Sequence, residues 1–401
     1  MKTCIAEKIE ELKKYHPWYG EFIGNISDFD GLPYITRDVL DKYYYNNCYS
    51  KKLIKFTTSG TSTGVKRAIY YSKDEIDYNN KQKKELFGNF INGLNPVGIV
   101  VGIGLAASSA DKVFKSLNKE TFIVSYDDAF DKVIQLMPKY QPEVLYSMPS
   151  LIDSIIEQMN PKLLSSVKKV ILVGEILTDK ARKKISSSLN ILEGDILNTY
   201  GCVELGLLAF ECEICKRFHF VNNIYPEVVE KQNEIKRRTK NEYCLSGNSS
   251  GILVVTSYWR KNIPALRYLT YDYIEGLAKT MCNKKEIYTF KRILGRVGDE
   301  FKHGERLSLY DLETALLQAI PDANFKIVIQ ENCVKIVLKN NKNYDPKLLE
   351  KAELSINKSN SAIWHMIKNN FLKRIKIEVD QISGANANWK KRVEYNYVKT
   401  K

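Results

Sequence analysis

Thr57-Thr58-Ser59-Gly60-Thr61-Ser62-Thr63-Gly64-Val65-Lys66 crowds hydroxyls, two glycines and a lysine directly behind the short apolar run Leu53-Ile54-Lys55-Phe56. Glycines let a backbone fold tightly and turn its N–H groups onto an anion, hydroxyls donate to phosphate oxygens, and a lysine adds a compact positive charge. The segment therefore reads as a phosphate-gripping turn. It is not a Walker loop, which places four residues between Gly and Gly-Lys-Ser/Thr. Here three residues separate Gly60 from Gly64, and Val65 precedes Lys66.

A second cluster is Cys212-Glu213-Ile214-Cys215, with His219 following. Two thiols and an imidazole at this spacing suit tetrahedral Zn²⁺, which needs one more ligand; Cys202 is a candidate, and a reduced loop without metal is the alternative. A closed set of four protein ligands leaves no open position for water, so such a site would be structural. The eight cysteines are scattered or locally clustered, which favours reduced thiols or a metal over disulfides.

The elements that must position these groups alternate. After an amphipathic helix carrying Ile5, Ile9 and Leu12, strands are expected at Gly98 to Leu105, Thr121 to Ser125, Val144 to Ser147, Lys169 to Val173 and Ile196 to Tyr200. Helices are expected at Ser150 to Met159 and Asp179 to Ser187, and β-structure resumes at Gly251 to Trp259. This is an α/β rhythm, a sheet with helices on its faces. Gly102-Ile103-Gly104 lacks the third glycine and downstream acid of a dinucleotide fingerprint. Beyond Gly295 the pattern predicts a smaller α+β module: helices at Tyr310 to Ala319 and Pro346 to Ser355, strands at Phe325 to Gln330, Val334 to Leu338 and Ile375 to Val379, and a tight connection at Glu331-Asn332. The boundary is expected at Gly295-Arg296-Val297-Gly298-Asp299, giving domains 1–295 and 296–401.

With 401 residues and 44% apolar composition the chain is globular, and its length suits two or three domains. No run of about 18 uncharged apolar residues occurs and the N-terminus lacks a signal peptide's apolar core, so no membrane span and a cytoplasmic location are expected. The net charge of +14 comes from lysines and arginines interspersed with acids. No nucleic-acid-binding signature accompanies it, so acidic protein partners, or simply a lysine-rich proteome, are favoured over nucleic acid.

The loop at Thr57 to Lys66, taken in order with Asn198-Thr199-Tyr200-Gly201-Cys202-Val203-Glu204, Tyr268-Leu269-Thr270-Tyr271-Asp272 and Gly295-Arg296, resembles the adenylate-forming superfamily of acyl-CoA synthetases, peptide-synthetase adenylation domains and luciferases. Within it the chain is most similar to phenylacetate-CoA ligases, which carry a Cys/His insert after the tyrosine-glycine motif. The resemblance implies a large N-terminal adenylate-forming domain and a small mobile C-terminal lid. It also implies ATP-dependent activation of a carboxylic acid to an acyl-adenylate, with transfer to a thiol of CoA or of a carrier-bound phosphopantetheine. An acyl-protein synthetase and a nucleotide-binding scaffold without catalysis are the alternatives, and a homodimer is open.

By the same resemblance, Thr58, Ser59, Gly60, Thr61, Thr63, Gly64 and Lys66 hold phosphates, and Glu204 binds Mg²⁺. Tyr200 and Gly201 sit at adenine, Asp272 and Arg296 hold the ribose, and Lys390, or else Lys391, bridges carboxylate and α-phosphate. Tyr146, Gly174, Glu175 and Tyr200 are expected around an aromatic or medium aliphatic acid. Cys282 is the implied fourth zinc ligand with Cys212, Cys215 and His219. Two departures stand out: Val203 replaces a hydroxyl residue, and Tyr271 replaces a glycine before the ribose acid.

Overall fold

Three helices open the chain: α1 (Lys2–Tyr15), α2 (Trp18–Ile23) and α3 (Arg37–Tyr43). The computed structural model describes all residues except 1, 27, 46–51, 58–66, 103, 126, 127, 129, 230–248, 297–308, 331, 332, 340–343, 360–363, 365, 366, 369–372, 381–392 and 396–401. The apolar stripe of α1 is buried as its spacing requires, Ile5, Ile9 and Leu12 all facing inward. Strands β1 (Ile54–Thr57) and β2 (Ala68–Tyr71) pair antiparallel, with Thr57 opposite Ala68. Helix α4 (Lys73–Ile91) starts on a capping box: Ser72 N donates to Glu75 Oε2 at 2.8 Å and Glu75 N to Ser72 Oγ at 3.3 Å.

The α/β alternation follows as β3 (Val97–Val100), α5 (Leu105–Ser116), β4 (Thr121–Val124), α6 (Asp131–Tyr140), β5 (Val144–Ser147), α7 (Pro149–Gln158), α8 (Pro161–Leu164), β6 (Lys169–Leu172), α9 (Asp179–Leu189) and β7 (Ile196–Cys202). These strands are parallel in the order β4-β3-β5-β6-β7. Strands β3 and β5 are buried along their whole length, as expected of a sheet covered on both faces. The strand expected over Gly98 to Leu105 ends at Val100, and Leu105 already begins α5. Gly104, at φ 148°, breaks the extended run where the apolar pattern alone continues.

An antiparallel series completes the larger part: β8 (Gly206–Glu211), β9 (Phe218–Phe220), β10 (Ile224–Val229), β11 (Ser249–Ser257), β12 (Tyr268–Cys282), β13 (Lys285–Phe290) and β14 (Arg292–Arg296). Its order is β10-β11-β12-β13-β9-β8-β7, with β14 also on β12. The C-terminal segment holds α10 (Leu309–Ala319), β15 (Phe325–Gln330), β16 (Cys333–Leu338), α11 (Pro346–Ser359), β17 (Lys376–Val379) and β18 (Val393–Tyr395), with sheet order β17-β16-β15-β18. Strands β15 and β16 pair antiparallel down to Gln330 opposite Cys333, flanked by two parallel neighbours, and the connection expected at Glu331-Asn332 lies outside the described residues.

The chain forms two compact units, residues 1–87 with 199–297 and residues 88–198 with 298–401. Strand β7 belongs to both, its first half pairing with β6 and its second with β8. In the second unit, buried Lys184 donates to Ala323 O at 2.9 Å and stands 3.5 Å from Asp153 Oδ1, so α9 grips the turn after α10. Among the described residues no helix is long and apolar enough to cross a membrane.

His16 is buried, and its Nε2 lies 3.0 Å from Lys261 O, a carbonyl that can only accept, so Nε2 carries the proton of a neutral ring. Burial pulls its pKa down to about 4. Protonation below the ordinary value of about 6.5 therefore favours the unfolded chain: the stabilisation is complete above that pH and is lost as pH falls towards 4, about 3 kcal/mol in all. Urea unfolding at pH 7.5 and 4.5 should show His16→Gln losing about 2–3 kcal/mol less across this interval than the unaltered protein.

Candidate functional site

In the first unit, β1 and β2 pair antiparallel and flank the hydroxyl-rich segment in sequence. Thr57, the last residue of β1, is paired with Ala68, the first of β2. Thr58, Ser59, Gly60, Thr61, Thr63, Gly64 and Lys66 lie outside the described residues. The lead-in to β2 is pinned by Arg67, whose Nε and Nη2 donate to Asp41 Oδ1 and Oδ2 at 2.7 and 3.0 Å.

Tyr200 closes the buried part of β7, and its hydroxyl donates to Asp272 Oδ2 at 2.7 Å. The ring is almost wholly buried and set edge-on to Phe290, centroids 6.0 Å apart. Burial, and then the Asp272 carboxylate, push the phenol's pKa far upward, so Tyr200 is a fixed donor. Asp272 on β12 stands directly opposite Arg296 on β14 in the antiparallel register, so the acid and the arginine expected at one sugar are cross-strand neighbours. Gly201 is required by the turn itself: a Cβ there would stand 2.3 Å from the carbonyl oxygen of Gly206.

Glu204 follows in the β7–β8 turn, half-buried. Its carboxylate helps raise the pKa of Tyr45, where burial dominates, and of Arg67, where the Asp41 bond dominates. Lys390 and Lys391 lie outside the described residues.

Tyr271 explains why a glycine is expected before the ribose acid: its φ is +66°, a left-handed conformation that costs a side chain about 1–2 kcal/mol. The tyrosine is held there by Arg37, whose backbone N donates to Tyr271 Oη at 2.9 Å and whose guanidinium lies 4.8 Å from the ring centroid. Tyr271→Ala keeps the strain and loses both contacts, so it should destabilise by about 2 kcal/mol in urea unfolding. Tyr271→Gly relieves the strain and should cost less than the alanine.

The four thiol and imidazole groups converge. The ligand atoms of Cys212, Cys215, His219 and Cys282 all lie within 4.8 Å of one another. Cys212 Sγ and Cys282 Sγ are 3.9 Å apart, close to the edge of about 3.8 Å that a tetrahedron with Zn–S bonds of about 2.3 Å would have. Cys212 and Cys215 sit on a turn closed by Cys212 N to Arg217 O at 2.8 Å and Lys216 N to Cys212 O at 2.9 Å, with Lys216 at φ +53°. His219 comes from β9, Cys282 from the end of β12, and Arg217 ties the turn to β13 through Thr289 Oγ1 at 2.7 Å. Burial, reinforced by Arg217, lowers the His219 pKa and keeps the ring in its ligating form. Although burial opposes it, the Cys215 and Ile214 amides bring the Cys212 thiol below its ordinary range, towards the thiolate a metal takes.

Three expected acid-binding residues, Tyr146, Gly174 and Glu175, are in the second unit. Tyr146, at the end of β5, is buried with its ring edge-on to Phe114. Gly174 takes φ +81° after β6. Glu175 caps α7, accepting Ser150 N at 2.9 Å and Ser150 Oγ at 2.7 Å, a role left open by Met148 and Pro149 at the helix start.

Residues 302–383 match the family described as the fumarate–diaminopropanoate ligase C-terminal domain. The chain is 27% identical over 391 residues to the fumarate–(S)-2,3-diaminopropanoate ligase of Enterobacter agglomerans, spanning 96% of both chains. It is 22% identical over 271 residues to the phenylacetate-coenzyme A ligase of Escherichia coli, covering 64% of this chain and 60% of that one. The fold is shared with a 2-hydroxyisobutyryl-CoA ligase at a TM-score of 0.59 and 15% identity, over 98% of this chain and 88% of that one. The chain thus shares the fold of adenylate-forming ligases and is similar in sequence to members of that superfamily. Its fold has the large α/β part and small C-terminal α+β part the motifs imply.

What the sequence concealed in this chain is a buried ionic node. Arg260 has no exposed surface; its Nη1 stands 2.6 Å from Glu75 Oε1, and Glu75 also accepts Lys261 N at 2.7 Å and Asn262 N at 3.0 Å. Burial pushes the Glu75 carboxyl up, but Arg260 and the two amides outweigh it and hold it below its ordinary range. Arg267, at φ +57°, repeats the device, pairing Glu227 at 3.0 Å and donating to the carbonyls of Asp30 and Leu32 at 2.9 and 2.8 Å. Only the Ser72-x-x-Glu75 capping signature could have pointed to Glu75; nothing local marks either arginine as buried.

Proposed function

We propose that this chain is a ligase that activates a small carboxylic acid with ATP and passes the acyl group to an amine. The observation that carries the reading is the match along 96% of both chains to an enzyme whose name joins fumarate to a diamino acid. The acid's carboxylate oxygen bonds to the α-phosphorus, the α–β phosphoanhydride bond breaks, and pyrophosphate leaves. The amine nitrogen then attacks the acyl carbon, the acyl–phosphate bond breaks with release of AMP, and the amine's proton goes to solvent.

Asp272 and Arg296, opposite each other on β12 and β14, would take the ribose. Tyr200, spending its hydroxyl on Asp272, fixes that acid's orientation beside the adenine end. Thr58, Ser59, Gly60, Thr61, Thr63, Gly64 and Lys66 would hold the phosphates, and Lys390 would bridge carboxylate and α-phosphate from a C-terminal domain beginning near 296. Glu204 would hold Mg²⁺, which supplies charge neutralisation for the polyphosphate. Tyr146, Gly174 and Glu175 remain the proposed walls of the acid pocket. Cys212, Cys215, His219 and Cys282 fit a structural Zn²⁺, the set being closed and supported by Arg217 and β13.

Thiol transfer is the second reading, favoured by the phenylacetate-coenzyme A ligase match. CoA is its small-molecule acceptor, and a phosphopantetheine arm on an acidic carrier protein is its macromolecular one. Mass spectrometry of reactions holding ATP, Mg²⁺, fumarate and either (S)-2,3-diaminopropanoate or CoA separates the two. The amide reading expects an amide with AMP in the first mixture and no thioester in the second; a thioester alone reverses it.

A further inference from the structure

Strand β2, which follows the proposed phosphate-binding segment in sequence, and the β7–β8 turn that carries Glu204 come from distant parts of the chain. Two side chains join them. Tyr71, the last residue of β2, is fully buried and its hydroxyl donates to Val203 O at 2.7 Å. Arg260 donates from Nε to Glu204 O at 2.9 Å and from Nη2 to Tyr70 O at 3.1 Å. The two stack, with the Arg260 guanidinium carbon 3.6 Å from the centre of the Tyr71 ring. Consecutive carbonyls of the turn, Val203 and Glu204, are thus each held by one member of a stacked pair, and one of those members also holds the main chain of β2.

We propose that Tyr71 and Arg260 act as a clamp that fixes the turn carrying Glu204 against strand β2, so that the magnesium-bearing acid is in position before ATP arrives. The inference rests on the reading of Glu204 as the magnesium acid. A guanidinium is suited to the work because its fork donates in fixed directions to Tyr70 O and Glu204 O while its charge faces Glu75, whereas an ammonium on a flexible stem lacks that fork. The clamp also accounts for Val203. A hydroxyl side chain is missing there, and the turn is instead held through the Val203 carbonyl, a group that any residue supplies. A site built this way stabilises developing charge without having to reorganise as the reaction proceeds.

Calorimetric titration tests the clamp apart from turnover. ATP affinity is measured with and without Mg²⁺, together with AMP affinity, on the unaltered protein and on Tyr71→Phe. The loss of one hydrogen bond to the turn should shrink the magnesium-dependent gain in ATP affinity by about tenfold, with AMP affinity, which reads the Tyr200–Asp272 end, staying within about twofold. Arg260→Lys keeps the positive charge while giving up the fork, and should move the same quantity in the same direction in whatever fraction remains folded by its melting curve. A Tyr71→Phe protein whose magnesium-dependent gain is unchanged overturns the clamp and leaves Glu204 its role. Parallel loss of AMP and ATP affinity overturns it too, because that is what general loosening would give. An unaltered protein whose ATP affinity does not respond to Mg²⁺ removes the role of Glu204 and the clamp with it.

Discussion

Glu204→Gln should lower acid-dependent pyrophosphate exchange by about a hundredfold to a thousandfold, the scale of removing one preorganised group that stabilises developing charge. The amide is isosteric, so its carbonyl can still sit in the turn that Tyr71 and Arg260 hold by main-chain oxygens. What disappears is the negative charge that a divalent cation requires. AMP affinity should change little, because the Tyr200–Asp272 pair is untouched. Steady-state exchange at saturating acid and varied Mg²⁺ makes the check. A variant that recovers fully at high Mg²⁺ has lost affinity for the ion alone; one that stays slow has lost the orientation of the phosphates as well.

Zinc removal should have the next largest effect, and on stability rather than chemistry. Purified protein should carry about one equivalent of zinc per chain, the stoichiometry of one closed four-ligand site. Strong chelation, or Cys215→Ser, should lower the melting midpoint by on the order of 10 °C, because a structural metal's binding energy is folding energy. The reason is topological: Cys212 and Cys215 lie in the turn between β8 and β9, while Cys282 ends β12, so the four ligands cross-link separate strands. Less than half an equivalent of zinc, with melting indifferent to chelation, would mean that these thiols pack without metal. Exchange activity of partly demetallated protein, measured below its melting point, should fall only in step with the folded fraction.

Legibility in the sequence divided along physical lines. The parallel strands Val144–Ser147 and Lys169–Leu172 were readable because a strand buried on both faces is an unbroken apolar run. The β1/β2 pair was not, because β1 is largely exposed and carries no alternation strong enough to mark a strand. Cys282 could be joined to the other three ligands only through the resemblance, since nothing in its own neighbourhood distinguishes it from a core thiol. Glu175, expected near the acid, is engaged in capping α7. A carboxylate that serves a helix and one that faces a pocket look alike in sequence. Arg260 sits in Tyr258-Trp259-Arg260-Lys261, which reads as a surface charge pair. Its burial depends on Glu75, Tyr70 and Glu204, all remote in the chain, and tertiary partners of that kind leave no periodic trace. Tyr271 shows the opposite relation: the departure was visible, and its left-handed φ supplies the reason a glycine was expected there.

Pyrophosphate exchange into ATP, measured with Mg²⁺ across fumarate, other short dicarboxylates, arylacetates and fatty acids, is the most direct test of the central claim that this chain makes an acyl-adenylate. The account predicts exchange that requires both Mg²⁺ and one class of acid, fumarate or another short dicarboxylate foremost, and that collapses in Glu204→Gln. Protein that is folded and binds ATP, yet exchanges no pyrophosphate with any acid of the panel, would contradict it.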